Sequence, residues 1–214
     1  MNVRIPVLVA AALALTLPAF ASAATRPTTA TANTPTKLAE ARAAQRDLWI
    51  GHVFWVRNVV DARFEGDAAK AKAAEQQVVA NAHALAGAIE PFYGKAASDK
   101  LFGLLAGHWG AISDYLDATR AGKKADQDAA SARLVANAGE IATFLGGANP
   151  NLPTDALRGL LTAHGAHHMQ QIQQFQAKQY EQEAKTWAAM TNHMYVIADA
   201  LADGIAKQFP DKFR

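Results

Sequence analysis

Apolar residues recur at steps of three and four along most of this 214-residue chain. Such steps place side chains on one face of a helix, so each apolar seam predicts a helix packed against a core. The three clearest seams are Trp49, His52, Val56 and Val59; Leu101, Leu105, His108, Ile112 and Tyr115; and Leu157, Leu161, His164, His168 and Phe175. Alanine is abundant and β-branched runs are few, so the pattern predicts an all-α protein.

The apolar pattern repeats with a period of about 56 residues. Residues 79–108 align without gaps on residues 135–164, and 11 of the 30 pairs are identical. A repeat of this length predicts stacked helical hairpins, which together form an up-and-down helical bundle. The expected hairpins join 37–65 to 68–90, 97–121 to 125–146, and 154–177 to 180–208.

Glycines mark two of the three expected hairpin turns. Gly66 and Gly122 lie 56 residues apart, and Lys178 takes the third equivalent position. Lysine tolerates a tight turn less readily than glycine. The last two helices could therefore either form a hairpin with a turn at Lys178 or continue as one helix with a kink.

The first 23 residues are typical of an export signal. Arg4 precedes an apolar stretch that ends at the small residues Ala21, Ser22 and Ala23. The apolar stretch is too short to remain as a membrane anchor, so we expect a periplasmic or secreted protein with no stable anchor after cleavage. Residues 24–36 are rich in Thr, Ala and Pro and predict a flexible tether, which leaves 37–214 as one bundle domain.

Charge and cysteine content narrow the possible functions. The formal net charge is +2 and would fall to +1 once Arg4 is removed with the signal. Lysine and arginine are scattered, with none of the basic stripes that nucleic-acid binding requires, so we expect no nucleic-acid partner. The chain has no cysteine, so its core must be stable without disulfides. Arg57 and Asp61, at i and i+4, predict an exposed ion pair of little energetic value.

Histidines occupy the apolar seams at repeat-related positions. One histidine precedes each turn position by 14 residues, and an Asn, Asn or His follows it by 15. Residues equidistant from the turn of an antiparallel hairpin lie at the same height. The sequence therefore predicts one mid-height histidine layer: His52, His108, His164 and His193, with His52 near Asn81 and His108 near Asn137.

The histidine layer has two interpretations. It could be a structural hydrogen-bond network that fixes the register of the helices. It could instead bind a transition metal, zinc or copper, or a small ligand, since imidazole is the commonest side-chain ligand of such metals.

The third repeat favours the metal interpretation. His168 replaces the Val56 and Ile112 of the earlier repeats and lies at i+4 from His164. If a metal binds, we therefore expect His164, His168 and His193 to be the core ligands, with His52 or His108 completing a tetrahedral or more open site. Neutral imidazole is the binding form, so affinity is expected to fall as the pH drops through about 6.5.

Motifs for catalysis are missing from the sequence. It contains no Glu-x-x-His, no His-Glu-x-x-His, no phosphate-binding glycine-rich loop and no nucleophile elbow, so no catalytic residue is predicted. The leading hypothesis is an exported, non-enzymatic bundle with a histidine-lined binding layer. The alternatives are a metal-dependent hydrolase or transferase and a structural or partner-binding module.

Four short strings resemble a family of small exported bacterial helical proteins, some of whose members carry kinase or glycosyltransferase labels. The strings are His52-Val-Phe-Trp-Val-Arg57, Pro91-Phe-Tyr-Gly94, Ala148-Asn-Pro150 and Gln208-Phe-Pro-Asp-Lys-Phe213. The resemblance implies matching histidines at positions 52, 108, 164 and 193 but gives them no role.

A looser resemblance is to DinB-like bundles, which hold a metal with three histidines, two of them at i and i+4. It implies that His52, His164 and His168 could form an equivalent set, and it is the basis of the hydrolase or transferase alternative. The helices are connected differently here, so the likeness lies at the level of the fold.

Overall fold

The computed structural model describes residues 36–214, and these residues form an all-α bundle without β-strands, as the sequence predicts. Two short elements accompany the six long helices: the one-turn helix α3 and a 3₁₀ helix at Pro210–Phe213. The helices are α1 (Lys37–Glu65), α2 (Ala68–Gly87), α3 (Glu90–Tyr93), α4 (Lys95–Arg120), α5 (Lys124–Ala148), α6 (Thr154–Gln176) and α7 (Tyr180–Gln208).

The long helices contact one another in a closed order. Each packs against the next in the series α1, α2, α4, α5, α6, α7, and α7 packs back against α1. Helix α6 also contacts α1 and α4. The first helices of the three expected hairpins therefore meet inside the bundle.

All three turn positions adopt a left-handed backbone conformation. The φ angles are 78° at Gly66, 67° at Gly122 and 55° at Lys178. Lys178 thus separates α6 from α7 in a turn, and the alternative of a continuous kinked helix is wrong. Superposition of residues 79–108 on 135–164 stays a prediction.

The histidine layer divides the core into two apolar clusters. Trp49 and Leu105 belong to one cluster, whereas Val56 and Ile112 belong to the other. His52 lies between Trp49 and Val56 on α1, and His108 lies between Leu105 and Ile112 on α4. The polar layer therefore lies at mid-height with apolar packing on both sides.

The predicted export signal and most of the predicted tether, residues 1–35, lie outside the described residues. Thr36, the last residue of that tether, is the N-cap of α1, and its hydroxyl accepts a hydrogen bond from the Ala39 N–H. Of the helices described, none combines the length and the apolar character needed to span a membrane.

Candidate metal centre

Four histidines from α1, α4 and α6 converge at mid-height in the bundle. Their exposed fractions are 5% for His52, 2% for His108, 1% for His164 and 3% for His168. The apolar seams place these side chains inward, as the sequence predicts. His193, on α7, is only half-buried, so the expected burial is confirmed for three of the four predicted layer histidines and for His168.

Three of these residues could hold a metal ion. One ring nitrogen from each of His52, His164 and His168, hereafter the histidine triad, lies within 4.8 Å of the other two. The ring centroids are 5.4 Å apart for His52 and His164, 5.7 Å for His52 and His168, and 4.5 Å for His164 and His168. With metal–nitrogen bonds of about 2.0–2.1 Å, two imidazoles on one tetrahedral ion have centroids about 5 Å apart. The triad spacing is therefore close to that of a three-histidine site.

His108 borders the triad with its tautomer fixed by Asn137. The Asn137 amide nitrogen donates to the Leu104 carbonyl at 3.0 Å, so its oxygen faces His108 Nδ1 at 3.1 Å. An amide oxygen only accepts hydrogen bonds, so Nδ1 carries the proton and Nε2 keeps its lone pair. The His108 ring lies 5.5 Å from that of His164 and 6.2 Å from that of His52. Nε2 of His108 is therefore free to accept, although no His108 nitrogen belongs to the set of ring nitrogens that lie within 4.8 Å of one another.

Several nitrogens of this cluster are buried without a hydrogen-bond partner. Among residues 36–214, none pairs with either ring nitrogen of His164, with Nε2 of His168 or with Nε2 of His108. An unpaired buried polar atom costs about 1–3 kcal/mol, and a purely structural network would be expected to pair such atoms. A bound metal would satisfy one unpaired nitrogen on each ring, whereas the second ring nitrogen of His164 would still lack a partner among the described residues.

The environment keeps these imidazoles neutral. Burial lowers the pKa of His52 to about 3, with the nearby His108 adding to the effect. Burial likewise lowers the pKa of His108 to about 4, although the bond to Asn137 acts the other way. For His164 and His168 burial comes first and the neighbouring histidines second, and both pKa values lie well below 6.5. These four buried imidazoles are therefore in the metal-binding form at neutral pH.

His193 takes a position different from that expected of a core ligand. Its Nε2 donates to the Leu160 carbonyl at 2.8 Å. The asparagines 112 and 56 residues earlier make the same kind of bond, Asn81 to Leu48 at 2.9 Å and Asn137 to Leu104 at 3.0 Å. His193 thus does what an asparagine does in the other hairpins. His52, which we expected only to complete the site, lies with His164 and His168 instead.

The two predicted His–Asn contacts have different outcomes. The contact between His108 and Asn137 is confirmed by their hydrogen bond. His52 and Asn81 make no such bond in the described part of the chain, and the Asn81 side-chain oxygen is buried without a partner there. The His52 ring is instead turned towards His164 and His168.

The structure contains an ion pair between α1 and α7 that the sequence analysis does not predict. Glu183 on α7 is 2% exposed, and Arg57 Nε and Nη2 donate to its two oxygens at 2.7 and 2.6 Å. Gln171 donates to the same carboxylate at 2.8 Å. The predicted pairing of Arg57 with Asp61 is wrong, since Asp61 pairs with Lys70. The sequence does contain one sign that Glu183 is buried, because Glu183 lies on the same face of α7 as Thr186, Met190 and Met194.

Asn137 should contribute more to stability than its repeat partner Asn81. Replacing Asn137 with Ala leaves the buried His108 Nδ1–H without an acceptor, so we expect a loss of about 2–3 kcal/mol in the free energy of unfolding. Asn81→Ala removes one bond at a half-buried site and should cost about 1 kcal/mol. Urea denaturation of both variants measures the difference. Equal losses would contradict the role assigned to the His108–Asn137 bond.

Comparison with protein-family models, with curated proteins and with solved structures found no match to this chain. The resemblance to exported helical proteins and the likeness to DinB-like bundles therefore stay expectations. The argument about function rests on the geometry of the histidine layer.

Proposed function

We propose that this protein is an exported, non-enzymatic helical bundle that binds a transition metal through the histidine triad, with His108 as a fourth donor. The observation that carries the proposal is that ring nitrogens of His52, His164 and His168 lie within 4.8 Å of one another, with those of His164 and Nε2 of His168 buried and unpaired in the described chain. Rigid helices on both sides of the layer hold these nitrogens in place, as a preorganised site requires. The export signal that the sequence predicts over residues 1–23 supports a periplasmic or secreted location, where the protein would bind or carry the metal.

Among the candidate metals, copper in its monovalent state fits these ligands best. Imidazole binds both zinc and copper, but the donor group contains histidine alone and supplies no negative charge. The cost of burying an ion rises with the square of its charge, so an uncompensated divalent ion is penalised more than a monovalent one. Zinc is the runner-up, since three-histidine zinc sites are common when a water or hydroxide completes them.

The packing around the layer favours binding over catalysis. An apolar cavity of about 30 Å³ lies on the Trp49 side of the layer, between residues such as Leu85, Leu101 and Leu105. A pocket for an organic substrate usually has about 300–1,000 Å³, which this cavity does not reach, and a described pocket of about 710 Å³ beside Lys100, Glu140 and Arg158 is lined by none of the four buried histidines. A hydrolase or transferase would need an open pocket beside the histidines.

The test is a metal titration of the full mature chain, purified without a histidine tag. Wild-type protein should bind one equivalent of copper(I) tightly, and His164→Ala/His168→Ile should bind it at least about 100-fold more weakly. Isoleucine is the matched choice for position 168 because Ile112 occupies the equivalent position of repeat two. His83→Ala removes an exposed histidine outside the layer and should leave the affinity unchanged.

Zinc is titrated in parallel and should bind the same site more weakly than copper(I). Equal, weak binding of both metals by wild type and the double variant would contradict the proposal. The layer would then be a structural element, and its removal would alter stability alone.

A further inference from the structure

We infer that His167 and His193 form a second, half-exposed metal-binding site, which captures an ion from solvent and passes it to the buried triad. The two residues lie on neighbouring helices, α6 and α7, with ring centroids 5.4 Å apart. That separation is close to the value of about 5 Å for two imidazoles on one ion. Both side chains are half-buried, so part of each ring is open to solvent, although Nδ1 of His167 is itself buried.

Each ring of this capture pair can offer one bare nitrogen. The Leu160 carbonyl can only accept, so the bond to His193 places the proton on Nε2 and leaves the Nδ1 lone pair free. On His167, Nδ1 is buried and has no hydrogen-bond partner among the described residues. The pair therefore has two donors available, and water can complete the coordination of a bound ion.

The capture pair lies beside two of the triad residues on α6. His167 directly precedes His168 in the chain and lies one helical turn after His164. The Leu160 carbonyl that His193 contacts lies one helical turn before His164 on α6, so His193 packs against the part of the helix that carries His164. The triad itself is buried, so an ion needs a path, and the capture pair is the half-exposed histidine cluster next to it.

The capture pair and the triad's extra histidine occur in the same repeat. At the position of His167 the earlier repeats have Trp55 and Ala111, and at that of His193 they have Asn81 and Asn137. His168 is likewise found only in repeat three. Three histidines have thus replaced other residues on one hairpin, where they supply both an outer pair and an inner ligand.

The role in transfer rests on the proposed function, whereas the capture site itself does not. In the transfer, the ion exchanges two outer imidazoles and its waters for the imidazoles of the triad, with no change of oxidation state. A set with more histidine donors binds more tightly, so transfer runs inward.

The matched variant is His167→Ala/His193→Asn, which copies the residues of repeat two. Asparagine at 193 should keep the bond to Leu160, as Asn137 keeps its bond to Leu104. With copper(I) as the probe, we expect the equilibrium affinity of the buried site to be unchanged and its loading rate to fall about tenfold. An unchanged loading rate would overturn the transfer role.

A second experiment separates the capture site from the triad. His164→Ala/His168→Ile protein is titrated with zinc chloride by calorimetry, with and without His167→Ala/His193→Asn in the same chain. We expect one weak equivalent in the first protein and its loss in the second. Comparison of wild type with His164→Ala/His168→Ile tests the proposed function through the loss of tight binding. Comparison of the two titrated proteins tests the capture pair alone through the loss of the weak equivalent. Identical titrations of the two proteins would overturn the second site.

Discussion

Acid should unfold the metal-free bundle cooperatively at a midpoint between about pH 4 and pH 5.5. Four histidines, those of the triad and His108, are buried in the folded state, and burial lowers the pKa of each. In the unfolded chain the same side chains take up protons at about pH 6.5. Below that pH the unfolded state binds more protons than the folded state, so stability falls as the pH falls.

The size of the effect follows from this difference in proton uptake. Above pH 6.5 both states hold neutral imidazoles, and these four residues make stability independent of pH. Between pH 6.5 and the folded pKa values, of which His52 has about 3 and His108 about 4, each histidine costs about 1.4 kcal/mol per pH unit. Four together cost about 5–6 kcal/mol per unit, against a usual total stability of about 5–15 kcal/mol.

The measurement is circular dichroism at 222 nm during acid titration of the metal-free protein. His168→Ile removes one buried titrating group and should lower the unfolding midpoint by about half a pH unit. His83→Ala, at an exposed position against Phe102, is the control and should not shift it. A bundle that stays folded at pH 3, or equal midpoints for wild type and His168→Ile, would contradict the assignment.

The lowered pKa values of the buried histidines also alter the expected pH dependence of metal binding. From the ordinary histidine pKa, affinity was expected to fall as the pH dropped through about 6.5. Because burial holds the folded pKa of His52 near 3, the ligands remain neutral well below that pH. Loss of metal should therefore accompany unfolding of the bundle and not precede it.

The helices of this protein follow closely from its sequence. Three seams at steps of three and four, together with the 56-residue repeat and its turn positions, predict all six long helices. The structure differs at their ends by a few residues, for example at Gly87, where α2 ends before the predicted 90. The turn at Lys178 was less predictable. Its backbone is left-handed like that of Gly66 and Gly122, although a non-glycine residue pays about 1 kcal/mol for that conformation. The packing of α6 on α7 fixes the turn despite the residue type.

The sequence predicts the height of the histidine layer, but it predicts only some of the histidines that converge there. Distances from the turns place His52, His164 and His193 at one level, and the structure agrees that the first two are close together. Equal height says nothing about rotation of a helix about its axis, and rotation decides where a side chain points. His193 points at the backbone of α6, whereas His168, one turn from His164, points into the layer.

The ion pair between Arg57 and Glu183 shows the same limit. The i, i+4 spacing predicts that Arg57 pairs with Asp61 on its own helix. Arg57 instead contacts Glu183 on α7, which lies 126 residues further along the chain. A glutamate on the apolar seam of α7 required a cationic partner, because a lone buried carboxylate is costly. The sequence places a glutamate on the apolar seam, but whether it meets an arginine, and which one, depends on how the helices pack.

Loss of Arg57 should destabilise the protein more than loss of its acidic partner. In Arg57→Ala, the carboxylate of Glu183 remains buried, with Gln171 as its one remaining donor among the bonds described above, and the free energy of unfolding should fall by about 3 kcal/mol. Arg57 also stacks over Phe175 and Trp187, so the substitution removes packing as well. In Glu183→Gln, the guanidinium is 37% exposed and can turn to water, so we expect a loss of about 1–2 kcal/mol.

Urea denaturation at pH 7 measures both losses, with Arg46→Ala as the matched control. Arg46 makes the same two-bond contact with Asp199, at 2.8 and 2.6 Å, but the pair lies at the surface. Exposed pairs contribute about 0–1 kcal/mol, so this variant should be nearly as stable as wild type. The two arginine contacts have the same geometry and differ in burial. If Arg57→Ala lowered the free energy of unfolding no more than Arg46→Ala, the Glu183 carboxylate would have to be solvated or protonated. Burial would then not explain the contribution of the Arg57–Glu183 pair to stability.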